Sequence, residues 1–299
     1  MKAKVLVTLG LPAMALATTV EPAGAQLDAG EMITTVSDSG SYSVYSYTLV
    51  NAGTSTWGLA AVLLDLEATS GTPENLTSTG GALRDFTTTG VGQVPHAEVG
   101  TITPSTWKAI FDRTATLMWS AGMKIRTTND SISPGDSLQG FGIRSSYLPG
   151  LTTVTYLPTL ESCCKEPSDT IEGTPYWSGP QAFAVQGMTI APRYSPEEID
   201  LDVLQSQLTA ICSDPLWLDD PSLCTELGGL LDDAATEETA GNYYGAVSTA
   251  EHLLARITTE QSAFQPNGYW LMAMNVAQVR ENLLAAAKAF PRVEATGPR

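Results

Sequence analysis

The pattern of hydrophobic and polar residues changes near residue 195, and the part before it alternates with the period of β-strands. One stretch alternates strictly and places Tyr45, Tyr47 and Leu49 on the same face of a strand. Turn-forming residues separate such stretches, as at residues 134–136, where a glycine is expected to supply a positive φ. Further strands are predicted at residues 59–66, 116–119, 123–127, 137–144, 152–156 and 182–190. Many short strands without intervening helices predict an antiparallel, Ig-like β-sandwich.

From Ser195 onward, apolar residues recur with the spacing of amphipathic helices. Residues 195–198 contain a serine, a proline and, three residues after the serine, a glutamate, which is the pattern of a capping box at a helix start. The leucines and alanines that follow predict an antiparallel bundle of about three to four helices. The chain is therefore expected to be an α+β protein of two domains. Its predicted segments are a signal peptide at 1–25, the β-sandwich at 26–194, the helical bundle at 195–290 and a tail at 291–299.

The N-terminus has the three-part organisation of a secretory signal peptide. Lys2 and Lys4 precede an apolar run that is too short to span a bilayer, and small residues precede Gln26. We expect cleavage after Ala25, with residues 15–17 as an alternative site. No later stretch approaches the roughly 18 apolar residues that a membrane-spanning helix requires. The mature protein is therefore expected outside the cytoplasm, either periplasmic or secreted, without a transmembrane segment.

Two stretches resemble modules of bacterial proteins. The residues that carry the first resemblance are Pro215, Leu216, Trp217, Leu218, Asp219, Asp220, Leu223, Leu227, Ala234, Gly241, Asn242, Ala246 and Leu253. This pattern resembles the C-terminal helical modules called FIVAR or FIMAH, which recur in secreted and surface-attached bacterial proteins, and the resemblance implies no catalytic residue. Residues 134–137 and 140–145 make the first half similar to uncharacterised exported bacterial β-sandwich domains, which implies a compartment rather than an activity. Cys212 and Cys224 are a departure from the usual helical modules.

The cysteines fit an exported protein, in which disulfides form and persist. Cys212 and Cys224 flank a loop between two predicted helices, and we expect them to be joined because closing such a loop contributes roughly 3 kcal/mol. Cys163 and Cys164 are adjacent in sequence. They either form a strained and easily reduced vicinal bridge, cross to Cys212 and Cys224, or bind a soft metal as thiolates. The sequence leaves these alternatives open.

Acidic residues raise the question of a cation site. Asp214, Asp219 and Asp220 lie in one predicted loop and could supply oxygen ligands to calcium; the sequence indicates no other cofactor besides the soft metal that the cysteine pair could bind. The alternative is that Asp219 and Asp220 cap the next helix, where the helix dipole favours negative charge. Overall, 32 Asp and Glu against 15 Lys and Arg give a net charge of −17, which argues against nucleic acid as a partner.

The sequence favours binding over catalysis. It contains no Gly-x-Ser-x-Gly, His-Glu-x-x-His or phosphate-binding loop motif, and its two histidines, His96 and His252, lie in different predicted domains. Tyr176 and Trp177 lie in a Gly- and Pro-rich loop, where exposed rings would contact a carbohydrate or a protein surface. We expect an exported, non-catalytic binding or assembly module with a helical appendage. The alternatives are an extracytoplasmic hydrolase with a carboxylate pair and a calcium- or redox-linked protein.

Overall fold

The computed structural model of the chain describes residues 27, 30–38, 42–66, 84–86, 100–104, 106–111, 116–121, 131–159 and 184–289. Within these ranges, two antiparallel sheets and four α-helices form a fold of the mixed α+β class. Several sequence predictions lie outside the described residues. They are the signal peptide with its cleavage site, the strand at 123–127, His96, Cys163, Cys164, Tyr176, Trp177 and the tail.

The strands fall into two sheets. In chain order they are β1 (Glu31–Asp38), β2 (Ser43–Val50), β3 (Leu59–Asp65), β4 (Arg84–Phe86), β5 (Gly100–Ile102), β6 (Trp107–Phe111), β7 (Thr116–Ala121), β8 (Ser137–Ser145), β9 (Leu148–Pro158) and β10 (Val185–Tyr194). One sheet has the order β1-β2-β8-β5 and the other has the order β10-β9-β3-β7-β6-β4. All pairs of neighbours in these sheets are antiparallel.

The alternation in β2 is confirmed, because Tyr45, Tyr47 and Leu49 are all buried. The turn before β8 is also confirmed, since Gly135 adopts a φ of 81°. Its N–H donates to the carbonyl of Asn51, at the end of the neighbouring strand, over 3.0 Å. The short-range signals of the sequence therefore predicted the strand β2 and the turn before β8 correctly, but not that β2 and β8 are paired.

Aromatic rings join the two sheets. Tyr47 on β2 lies 5.5 Å from Trp119 on β7, measured between ring centroids. Phe141 on β8 contacts both Trp119 and Trp107 edge-on, at 5.5 and 5.1 Å. Such tilted and edge-to-face pairs are favourable beyond the apolar area that they bury. Burial raises the pKa values of the Tyr45 and Tyr47 hydroxyls well above their ordinary value.

In the described part of the chain, four α-helices follow the strands, and the first begins at Leu201, five residues after Pro196, where the sequence pattern predicts a helix start. They are α1 (Leu201–Cys212), α2 (Pro221–Thr239), α3 (Tyr243–Thr259) and α4 (Pro266–Ala289). The capping residues are real, since the Ser195 N–H donates to Glu198 Oε2 over 2.8 Å, but they enclose only a single 3-10 turn. Ile199 is extended after that turn, and Asp200 caps α1 by accepting the Val203 N–H over 2.8 Å.

Three asparagines attach α4 to the rest of the molecule. They are spaced by eight and seven residues, which is about two helical turns each and places them on one side of the helix. Asn267 accepts the Thr34 N–H over 2.6 Å and donates to the Met32 carbonyl over 2.9 Å. Asn275 donates to the Pro149 carbonyl, and Asn282 donates to two carbonyls between β10 and α1.

The apolar core runs without interruption from the sheets into the helices. It includes Tyr47 and Trp119 between the sheets, and Leu204, Leu271 and Val276 among the helices. α4 contacts β1, β9 and β10 as well as α1 and α3. The sheets and helices are therefore packed on each other directly.

Candidate functional site

The loop between α1 and α2, residues 213–220, contains most of the candidate residues that the structure describes. We refer to it as the α1–α2 loop. The predicted disulfide between Cys212 and Cys224 is confirmed, with an S–S distance of 2.07 Å and a Cα–Cα distance of 5.9 Å. Cys212 is the last residue of α1, and Cys224 lies in the first turn of α2. The disulfide therefore joins the two ends of the loop.

Two of the three predicted carboxylates hold the backbone of this loop. Asp220 caps α2, because its Oδ1 accepts the N–H groups of Ser222 and Leu223 over 2.9 and 3.1 Å. Hydrogen bonds from the Ser222 side chain and then from the Leu223 backbone lower the pKa of Asp220. Asp214 Oδ1 accepts the Leu216 N–H over 2.9 Å. The capping interpretation is confirmed for Asp220.

The described residues contain no cluster of three or more His, Cys, Asp or Glu side chains that is placed to hold a metal ion. Asp219 is exposed to solvent, whereas Asp214 and Asp220 are half-buried. Calcium at these three carboxylates stays a prediction. The roles that the structure gives to Asp214 and Asp220 are local and structural.

Two buried side chains anchor the second half of the loop. Trp217 and Leu218 are both buried. Leu218 forms a β-bridge with Phe264, and the Trp217 carbonyl accepts the Gln265 N–H over 3.0 Å. A Cβ atom on Gly268 would lie 2.8 Å from that carbonyl, so the close approach of α4 to the loop requires glycine at this position.

Leu216 projects from this fixed frame into solvent. Its relative exposure is 75%, against 51% for Met188 and 50% for Tyr244, the next most exposed large apolar residues that the structure describes. The residues on its two sides are Pro215, which is exposed, and Trp217, which is buried. The loop thus presents one apolar side chain at its tip on a backbone that is held on both sides.

The charge around the loop is negative. No Lys or Arg occurs from Glu197 to Glu251. The next basic residue, Arg256, contacts Glu226 over 2.7 Å and forms a second ion pair with Glu260. The hydrogen bond from Arg256 lowers the pKa of Glu226. The single positive charge of Arg256 also lowers the pKa of Asp220, so it is shared among three carboxylates and leaves the net charge around the loop negative.

The remaining sequence candidates divide into those described and those outside the described part of the chain. His252 is exposed on α3. A shallow depression lies along the other end of α2, lined by Asp232, Ala235, Thr236, Thr239 and Ala240.

The sequence pattern does not identify Leu216 as a candidate site residue. A leucine between a proline and a tryptophan carries no pattern that separates a buried side chain from an exposed one.

Comparisons with protein-family models, curated proteins and solved structures return no match for this chain. None of the helices in the described ranges is both long enough and apolar enough to cross a membrane. The feature of the described structure that bears most directly on function is the α1–α2 loop with its exposed Leu216.

Proposed function

We propose that this chain is an exported, non-catalytic protein that binds or assembles with a partner through the α1–α2 loop. The N-terminus has the organisation of a signal peptide, which supports a location outside the cytoplasm. The disulfide between Cys212 and Cys224 supports the same location, because disulfides persist in oxidising compartments. The aromatic contacts between the two sheets support an Ig-like sandwich as the scaffold. The contacts of α2 with α3 and of α3 with α4 support a helical bundle beside it.

The exposed Leu216 on a fixed loop is the observation that carries this proposal. A loop that must become ordered on binding loses conformational entropy, and this loss subtracts from the affinity. In this chain the disulfide, the cap at Asp220 and the buried Trp217 already hold the loop. Binding functions are commonly carried by loops that a rigid scaffold positions in this way.

The proposal is tested by placing an aliphatic, diazirine-bearing photo-crosslinking amino acid, which keeps an apolar side chain, at position 216 in the native organism. The matched control carries the same amino acid at position 205, because Gln205 is also exposed but lies on α1, outside the loop. We expect a discrete adduct from position 216 and none from position 205. Replacing Cys212 and Cys224 by serine should weaken the adduct, since the loop is then held less firmly. Equal labelling from both positions, or no adduct from position 216, would refute the proposal.

A further inference from the structure

We infer that the α1–α2 loop inserts Leu216 into an apolar pocket of a protein partner and that Lys or Arg residues surround this pocket. The inference rests on the proposed function and specifies the chemistry of the partner. It follows from the main-chain hydrogen bonds of the loop, from the side chain at its tip and from the charge on either side of that tip.

The main chain at the tip already has partners within the protein. The N–H groups of Leu216 and Trp217 donate to Asp214, to its Oδ1 and its carbonyl respectively, each over 2.9 Å. The Trp217 carbonyl accepts the Gln265 N–H. Recognition by strand addition relies on main-chain hydrogen bonds from an extended segment to the partner. The N–H groups of Leu216 and Trp217 and the Trp217 carbonyl are not available for such bonds, because they already have partners in the loop and before α4. Side chains at the tip are therefore the main source of specificity.

The side chain at the tip is a branched aliphatic group that is three-quarters exposed. Its removal from water is favourable only where the partner offers an apolar surface of similar shape. Side chains that fill a pocket at the centre of an interface usually contribute most of the affinity. We therefore expect the change from Leu216 to serine to weaken binding by about tenfold or more.

The charge beside Leu216 selects among apolar partners. Asp214 and Asp219 flank the tip in the sequence, and Asp220 follows at the start of α2. These carboxylates would be repelled by the anionic lipids of a membrane surface and by the phosphates of a nucleic acid. A protein pocket with basic residues at its rim fits both the apolar tip and the negative charge.

The test measures the crosslink from position 216 under conditions that change the electrostatic attraction. The photo-crosslinking protein is mixed with an extract of the native organism at about 0.05 M and about 0.5 M salt, which shortens the Debye length about threefold. A second form of the protein also carries Asp219→Lys. The matched control carries Asp233→Lys, the same change in charge at an exposed position of α2 outside the loop. Unlabelled protein with Leu216 or with Leu216→Ser is added as a competitor.

We expect an adduct with a protein that decreases about tenfold with Asp219→Lys or at the higher salt concentration, but not with Asp233→Lys at low salt. The competitor with Leu216 should suppress the adduct, and the serine variant should do so about tenfold less effectively. A protein adduct that does not respond to salt or to Asp219→Lys would overturn the basic pocket and leave the proposed function standing. The same protein is also mixed with vesicles of phosphatidylethanolamine and phosphatidylglycerol. An adduct with these lipids, and none with a protein of the extract, would overturn the protein partner. The absence of any adduct from position 216 would overturn the proposed function itself.

Discussion

At the scale of single residues, buried side-chain amides determine where α4 lies on the β part. Asn267 bonds to the N–H of Thr34 and the carbonyl of Met32, the two groups on either side of residue 33. A residue of a parallel neighbouring strand would bond to the same two groups. β1 is at the edge of its sheet, so this side chain occupies main-chain groups that an edge strand would otherwise leave open.

Asn275 is expected to be the most sensitive of these residues, because it is fully buried. Its Nδ2 donates to the Pro149 carbonyl and to Gln207 Oε1, each over 2.8 Å. We predict that Asn275→Leu lowers the free energy of unfolding by about 1–3 kcal/mol, because both acceptors would stay buried without a donor. The measurement is urea denaturation, with the exposed Gln205→Leu as the control for the same kind of change. Equal stability of the two variants would show that the amide contributes nothing.

Residues of the α1–α2 loop could be predicted from the sequence only where their interactions are local. Cys212 and Cys224 are close in the chain, and Asp220 caps the helix that it precedes, so spacing alone identifies both features. The Asn267 contact to Thr34 spans 233 positions, and no local pattern indicates it. The exposure of Leu216 depends in the same way on distant packing, since Gln265 and Gly268 lie against the backbone of its neighbour Trp217.

At the scale of elements, α2 is less stable than its length suggests, because two adjacent glycines lie in its middle. A Cβ atom at Gly228 or Gly229 would meet no atom within 4 Å beyond its chain neighbours and the backbone of its own helix. Glycine in a helix interior costs about 0.5–1 kcal/mol relative to alanine. Nothing in the described structure explains why glycine occupies these positions.

We therefore predict that Gly228→Ala and Gly229→Ala each raise the free energy of unfolding by about 0.5–1 kcal/mol. Gly268→Ala is the contrasting variant, because its Cβ would lie 2.8 Å from the Trp217 carbonyl and should lower stability. Chemical denaturation of the three variants against the parent protein measures both effects. A loss of stability in the first two variants would contradict the open space that the structure shows around them.

Glu238 on α2 gives a prediction about pH. Burial raises its pKa above 4.5, and the charges of Asp200 and Asp202 near the start of α1 raise it further. A raised pKa means that Glu238 binds its proton more tightly in the folded state than in the unfolded state. The protonated carboxyl therefore favours folding, and this contribution to stability is lost as the pH rises through the raised pKa. We predict that Glu238→Gln raises the melting temperature at pH 7 and has little effect below about pH 4, where the carboxyl is protonated. A rise of the same size at both pH values would exclude ionisation as the cause.

The elements themselves were largely predictable where hydrophobic period and turn chemistry agree. β2, β3, β8 and the four helices follow patterns that are visible in the sequence. β1 was missed because the polar Thr34 stands between Met32 and Val36 on its buried face, and Thr34 is buried through hydrogen bonds rather than apolar contacts. The start of α1 was placed too early, because a capping box signals a turn of helix and does not set its length.

At the scale of the whole molecule, the sheets and the helices share one core and are joined by buried hydrogen bonds. α4 contributes to both, through Leu271 and Val276 in the core and through Asn267 and Asn275 at the strands. If α4 detached, the strands and the other helices would expose apolar surface, and buried polar groups would be left without partners. The two parts should therefore depend on each other for stability.

We predict that the strands and the helices unfold in a single transition. Amide NMR signals from β9 and from α4, followed through a urea titration, should lose intensity with the same midpoint. Asn275→Leu should shift both sets of signals together, because this residue contacts both parts. Separate midpoints would show that the helices form an independently stable domain.

The central claim is that the α1–α2 loop is held in place before any partner binds. Amide hydrogen exchange of the oxidised protein alone tests this claim most directly at Trp217 and Gln265, whose N–H groups bond to the carbonyls of Asp214 and Trp217 over 2.9 and 3.0 Å. Protection similar to that of the α2 amides, reduced when the disulfide is reduced, is the result that we predict. Exchange at the rate of an unstructured peptide in the oxidised protein would contradict the claim.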